Sequence, residues 1–191
     1  MKRLAFATAI LALAAPLALA QTTAWATDPA HSGVEFSIRH MGLSNVHGEF
    51  SKVTGTIQLN EADITRSTVQ VTIDVGTVDT GNSDRDTDLK GDHFFDVAKF
   101  PTATFTSTSV ARNGGSLAVT GNLTLKGVTK PAVLQVEGPN GPATGMDHKL
   151  HAGYSATTTI SRLAFGVGSS YPSSMLGDDI KLTIEIEAIK Q

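Results

Sequence analysis

The residues of this chain that could carry chemistry are few and scattered. Six histidines are present, His31, His40, His47, His93, His148 and His151. His40 and His47 flank what reads as a loop, Met41-Gly42-Leu43-Ser44-Asn45-Val46, and residues 83–95 read SDRDTDLKGDHFF. Imidazole and carboxylate are ligands that transition-metal ions share. His40 and His47 with Asp84, Asp86 and Asp88 therefore define one alternative: a His/Asp-dependent metal-binding protein or metalloenzyme. His148 and His151 lie in HKLHAGYSATTTIS, which patterns as a strand, so their spacing puts them on opposite faces. Asp84-x-Asp86-x-Asp88 opens like a calcium loop. That motif needs Gly sixth and Glu twelfth, and Leu89 and Phe95 stand there instead.

Covalent catalysis finds even less support. The chain has no cysteine, hence no thiolate nucleophile or thiolate metal site. It has no Gly-x-Ser-x-Gly elbow, and nothing marks a base beside Gly168-Ser169-Ser170. Carboxylates are spread over polar faces rather than paired in an apolar setting. No phosphate loop or dinucleotide glycine pattern occurs. The expectation is a protein that is not an enzyme and carries no cofactor. A net charge of −3 without a basic run also argues against nucleic acid as a partner.

The elements that would position any site are strands. In IKLTIEIEAI, Ile180, Leu182, Ile184, Ile186 and Ala188 alternate with polar residues, as do Val69, Val71, Ile73 and Val75 in STVQVTIDV. SLAVTGNLTLK and VEFSIR repeat the pattern through Leu117, Val119, Leu123 and Leu125, and through Val34, Phe36 and Ile38. Successive side chains leave a strand on opposite faces, so each run has one dry side. With similar runs near residues 53–59, 102–109, 132–136 and 149–161, about eight strands are expected. One dry face implies an antiparallel sheet. Arg112-Asn113-Gly114-Gly115 and Lys126-Gly127-Val128-Thr129 read as tight turns, and Gly138-Pro139-Asn140-Gly141-Pro142 as a longer loop. A sandwich and a closed barrel both fit this pattern.

Upstream of the strands, Met1-Lys2-Arg3, an apolar Ala-rich run and Ala18-Leu19-Ala20 have the layout of an export signal cut after Ala20. The remaining residues 21–191 are expected to form one domain in the periplasm, without a stable membrane span.

The dry faces are thinly furnished. Aromatic residues make up only 6% of the chain, and dry positions include Ala103, Gly121, Ala152 and Ala156. Such an interior either tapers and packs solid or leaves an apolar cavity, and an eight-stranded barrel can do both. Residues 83–95 break the strand pattern. Ser83 can cap a helix, Asp84 and Asp86 suit its first turn, Asp86 and Lys90 are four apart, and Gly91 can end it. Two turns are unstable alone, so Leu89, Phe94 and Phe95 must anchor the segment as a cover.

Four strings taken together resemble the YceI family of exported lipid-binding proteins: Asp28-Pro29-Ala30-His31-Ser32, FSIRHMGLSNVHGEF, TGNSDRDTDLKGDHFFDVAKFPTATF and GNLTLKGVTKP. The resemblance runs from about Ala24 to the end of the chain. It implies an all-β fold, a lipocalin-like antiparallel β-barrel of about eight strands with a short helical cover. It also implies a polyisoprenoid or other long amphiphilic lipid in an elongated pocket. Members often carry Asp just before Phe-Gly, where this chain has Ala164 before Phe165-Gly166. Parity and motif then select Phe36, Ile38, Val71, Ile73, Phe94, Phe105, Leu123, Leu125, Phe165, Ile184 and Ile186 for contact with a hydrocarbon tail. Arg39, His40, Arg85 and His93 are selected for a polar head. The expected ligand is a polyprenyl or quinone-like lipid, and the oligomeric state stays open, a homodimer included.

Overall fold

The computed structural model describes residues 22–191. The expected leader and its cleavage site after Ala20 lie outside the described residues. The strands are β1 (Thr22–Thr27), β2 (Gly33–His40), β3 (Ser44–Phe50), β4 (Val53–Asn60), β5 (Thr68–Asp74) and β6 (Val78–Asp79), followed by α1 (Ser83–Lys90). The chain continues through β7 (Thr102–Asn113), β8 (Ser116–Leu125), β9 (Val128–Thr144), β10 (Leu150–Ser161) and β11 (Leu176–Lys190).

Every pairing is antiparallel. β11 carries two partners on one edge: β1, from Trp25 opposite Lys190 to Thr27 opposite Ala188, and β2, from Gly33 opposite Glu185 to His40 opposite Leu176. β1 and β2 are thus one long stave broken at residues 28–32. β3 and β4 form a second broken stave along β2 and β1. The order then runs from β4 to β5, β7, β8, β9, β10 and back to β11. Counted this way, the sheet closes as an eight-stranded antiparallel barrel, which decides the sandwich-or-barrel question. Closure removes the open edges that an extended sheet would expose.

Several local expectations need correction. Residues 41–46 are not a loop: a turn at Met41 and Gly42, both with positive φ, leads directly into β3 at Ser44. The segment at residues 138–142 lies within β9, where it meets β10 through register shifts. The cap of α1 is Asn82, whose side chain accepts from Arg85 N–H, rather than Ser83. Asp86 accepts from the Thr80 N–H and hydroxyl at 2.9 and 2.6 Å, so it is held by Thr80 and not by Lys90. Here a fixed backbone donor outcompetes a flexible ammonium, whose pairing on an exposed helix is weak.

One end of the barrel is plugged. Trp25, Ile57, Leu59, Ala152 and Ala188 form a dry cluster, with Ala188 at 0% exposure. The Trp25 indole N–H donates to Thr23 Oγ1 at 2.9 Å, so the ring buries no unpaired donor. Outside this floor, His31 Nδ1 lies 2.8 Å from Asp28 Oδ2. His151 lies between Glu187, at 2.6 Å, and Asp147, at 3.0 Å.

Hydrogen bonding to Asp28 raises the His31 pKa above its ordinary 6.5. Bonds to Asp147 and then Glu187 raise His151 likewise. The same contacts lower Asp28 and Asp147 below 3.8. A raised histidine contributes its full stability below its unfolded pKa and loses it as pH rises through the folded value. A lowered carboxylate contributes above its unfolded pKa and loses it as pH falls through the folded value. Urea midpoints should therefore peak on the mildly acidic side, near about pH 5 to 6, and decline in both directions. A His31→Asn, His151→Asn double variant should flatten the alkaline limb. An alkaline limb identical to that of the parent would remove the assigned cause.

Candidate functional site

Above the floor the barrel does not fill itself. An apolar cavity of about 370 Å3 lies between the sheet and the segment after β6, within the roughly 300–1,000 Å3 of small-molecule sites. Its wall comes from Val34, Phe36 and Ile38 of β2, Ile73 of β5, Leu123 and Leu125 of β8, and Ile180 and Leu182 of β11. Small inward residues create the space. Ala103 is buried at a cavity position where a larger side chain would fill the lumen. Gly48 lets the Phe36 ring lie flat on β3: a Cβ there would stand 2.5 Å from Phe36 Cζ and 2.8 Å from the Asp79 carbonyl.

The cover is built as the sequence suggests, from a short polar helix with a hydrophobic end. Leu89, Phe94 and Phe95 all face the cavity. The Phe95 ring meets Phe50 edge-on at 5.6 Å, and Phe50 lies 5.6 Å from Phe36. Arg85 donates to the Thr80 hydroxyl and carbonyl at 2.8 and 3.0 Å, which fastens the start of α1 to the end of β6.

A second covering segment, residues 163–175 between β10 and β11, closes the other side. Phe94 stacks on Tyr171 at 5.4 Å across the junction. Lys126, at the β8–β9 turn, donates to the carbonyls of Asp92 and Gly166, tying the two covers together. Arg162 holds the second cover. It is only 2% exposed, and its guanidinium donates to the carbonyls of Gly177, Val167, Gly168, Tyr171 and Leu176. Five N–H groups thus meet five carbonyls in a fixed fork. Burial lowers the Arg162 pKa, with the nearby Asp178 charge opposing the shift.

The polar groups at the rim are sparse. His40, Arg85 and Asp88 line it beside Tyr171 and Met175. Deeper in the barrel, the Tyr154 hydroxyl is buried with no hydrogen-bond partner. Burial raises its pKa to about 12, so it stays protonated.

Among the residues selected from sequence, the structure brings Phe36, Ile38, His40, Ile73, Arg85, Phe94, Leu123 and Leu125 together on the cavity wall. The others lie elsewhere. Phe105 and Phe165 are in the packed core, at 6% and 3% exposure, and Val71, Ile184 and Ile186 pack against core clusters. Parity fixes the inward face but not whether an inward group borders empty space: Phe105 stands opposite Leu123 and Ile184 opposite Val34, yet only Leu123 and Val34 line the cavity. Arg39 points outward and donates to the Gly42 carbonyl at 2.8 Å, bracing the β2–β3 turn. The His93 side chain is 77% exposed. Ala164 is exposed as well, so an acid at that position would face solvent rather than the cavity.

Arg162, Val46, Phe50, Tyr171 and Leu176 of the wall were not singled out from sequence. Of these, Val46 and Phe50 carried a readable signal, both lying in the string FSIRHMGLSNVHGEF. The metal alternative loses its geometry. Ser37 is the partner of His47 and Ser44 that of His40, so the two histidines project from opposite faces of the sheet.

Arg162→Met would leave five carbonyls without donors and should cost about 3 kcal/mol or more. Arg162→Lys, with fewer donors, should fall between the two. Tyr154→Phe removes an unpaired buried hydroxyl and should be neutral or stabilising by up to about 1 kcal/mol. Urea denaturation of the three variants checks both statements. A neutral Arg162→Met or a strongly destabilised Tyr154→Phe would contradict them.

Comparison with known proteins agrees with this architecture. Protein YceI of Salmonella arizonae is 38% identical over 164 residues, spanning 84% of this chain and 83% of its own. The crystal structure of BcnA from Burkholderia cenocepacia superposes with a TM-score of 0.75 at 26% identity, over 84% of this chain and 98% of that one. A polyisoprenoid binding domain from Saccharophagus degradans, implicated in plant cell wall breakdown, shares the fold with a TM-score of 0.65 at 16% identity, covering 88% of this chain and 99% of its own. The YceI-like domain matches residues 25–188, and the chain belongs to that family.

Proposed function

We propose that this protein is an exported carrier or reservoir for a long-chain isoprenoid-type lipid, polyprenyl or quinone-like, held in the barrel cavity and released without chemical change. The observation that carries this reading is the cavity itself: about 370 Å3, walled by hydrocarbon, plugged at one end and covered at the other. Membership of the YceI-like family and a fold shared with a polyisoprenoid binding domain support it. The amino-terminal sequence supports export to the periplasm. Among the described residues no helix is long and apolar enough to cross a membrane.

The energetics favour long chains. Each buried methylene contributes about 0.8 kcal/mol, so about ten give roughly 8 kcal/mol. Association costs on the order of 4–15 kcal/mol in lost freedom, so a short amphiphile gains too little and a long tail gains enough. Methylenes differ little from one another, and selectivity is left to the few polar groups at the rim, His40, Arg85 and Asp88. The cavity is near the small end of ligand sites. A long chain therefore requires the α1 segment to lift, which exchanges the apolar contacts of Leu89, Phe94 and Phe95 and breaks the Lys126–Asp92 and Gly168–His93 bonds to the second cover.

Native mass spectrometry of protein purified without detergent, followed by lipid extraction, should recover a prenyl-chain lipid near equimolar with protein. Added prenyl quinone should load any empty fraction. Ala103→Leu, which intrudes on the lumen, should reduce loading at an overpacking cost of about 1–3 kcal/mol. Protein that carries no lipid and takes none up would end the proposal. Ala103→Leu loading as well as the parent would move the ligand out of this cavity.

A further inference from the structure

Outside the floor, at the opposite end of β11 from the cavity, lies a second concavity of about 530 Å3 with a different character. It is lined by Asp28, His31, Asp147, His151 and Glu187. They converge because the break between β1 and β2 falls where β1 leaves β11. Asp28 continues past Thr27, the partner of Ala188, and its N–H donates to the Glu187 carbonyl at 2.7 Å. His151, paired with Ile189, shares the outer face of the sheet with Glu187.

Three of these residues can each offer a donor atom such that all three atoms lie within 4.8 Å of one another: Asp28, His31 and Glu187. Ligands about 2.0–2.2 Å from a tetrahedral ion stand roughly 3.3 Å apart, so modest rotation of exposed side chains would bring the set to bonding distance. Asp28 is oriented for this. Its Oδ1 accepts the Ala30 N–H at 3.0 Å, which leaves Oδ2 facing His31 Nδ1 at 2.8 Å. Glu187 is held by its backbone, which exchanges hydrogen bonds with Ser32 Oγ, and by His151 at 2.6 Å. His151 in turn touches Asp147 at 3.0 Å, the outer-shell arrangement that fixes a ligating imidazole or carboxylate.

We infer that Asp28, His31 and Glu187, the last held in place by His151, form a binding site for a divalent transition-metal ion of the zinc class at the base of the barrel. The His31 imidazole favours such an ion over calcium or magnesium, which take all-oxygen shells. The ion replaces the protons now shared between imidazole and carboxylate. It joins the β1–β2 turn to β10 and β11 and so braces the floor. The site is separate from the lipid cavity and stands whether or not lipid is the cargo.

Zinc chloride titrated into chelator-treated protein, followed by calorimetry, should bind saturably as a single ion per chain and raise the thermal midpoint. His31→Gln and Glu187→Gln should each weaken binding by at least about tenfold and abolish the thermal shift. His47→Ala, on a distant outer face, should change neither. Circular dichroism without zinc confirms that each variant is folded, and the parent titration decides the question should one of them fail. No saturable binding by the parent protein, or equal binding by both Gln variants, would overturn the inference and leave the cluster as ion pairs alone.

Discussion

The barrel depends on how β11 shares its edge. A single long strand pairs with β2 along one part and with β1 along the next. That shared edge turns an open sheet into a tube, because β1 also pairs with β4 and so carries the ladder round to β5. The break at residues 28–32 lets the two halves of the stave tilt separately. At one end the strands draw in on Trp25 and Ala188, and at the other they leave room. Floor and lumen are both consequences of this closure. A sheet left open would have neither, and its free edges would invite pairing with other chains.

Within the tube, side-chain volume decides what is solid and what is hollow. Phe105 is buried in one cluster with Val119 and Val136, and its ring takes the space over Gly121, where an added Cβ would collide with it. Higher up, Ala103 and Gly48 stand where larger residues would close the lumen, and Phe36 is laid against the wall instead of across it. An empty apolar space forfeits dispersion contacts on its lining. A protein that maintains one accepts a cost in stability that a guest chain can offset.

The covers are held by interactions of two kinds. Arg162 and Lys126 bind backbone carbonyls, which are directional and costly to leave unpaired once buried. The α1 side is tied at its margins by Arg85 and Asp86 to Thr80, by Lys126 to the Asp92 carbonyl and by the Gly168 N–H to the His93 carbonyl. Over the lumen Leu89, Phe94 and Phe95 hold it by apolar contact, which can be exchanged for equivalent contact with a hydrocarbon tail. The segment between residues 163 and 175 is thus held mainly by polar bonds from Arg162, and the α1 side is the half whose contacts over the lumen are apolar and exchangeable. This division gives a lipid a route inward without breaking the ladder of the sheet.

Much of this was legible in the amino-acid order. Alternation in IKLTIEIEAI and STVQVTIDV gave strand identity and the inward face, since period-two geometry is local and needs no partner. The break at SDRDTDLKGDHFF gave the cover, because a short charged segment ending in Phe94-Phe95 has nowhere else to be stable. Ala103 announced the hollow, whereas the space at Gly121 is taken by the Phe105 ring and Ala152 and Ala156 lie in packed clusters. Which inward groups border empty space was not legible. Phe105 stands opposite Leu123 and Ile184 opposite Val34, yet only Leu123 and Val34 line the cavity, because the fill of the lumen depends on side chains arriving from several strands. Nor could Arg162 be recognised, since its partners are carbonyls, which every residue has. The meeting of Asp28, His31, His151 and Glu187 was equally hidden, as it requires three strands that closure alone makes neighbours. Local periodicity determined the elements and their dry sides. Where the tube is full, where it is empty and which distant groups share a corner were decided only when β1 met β11, because these are properties of non-local distance.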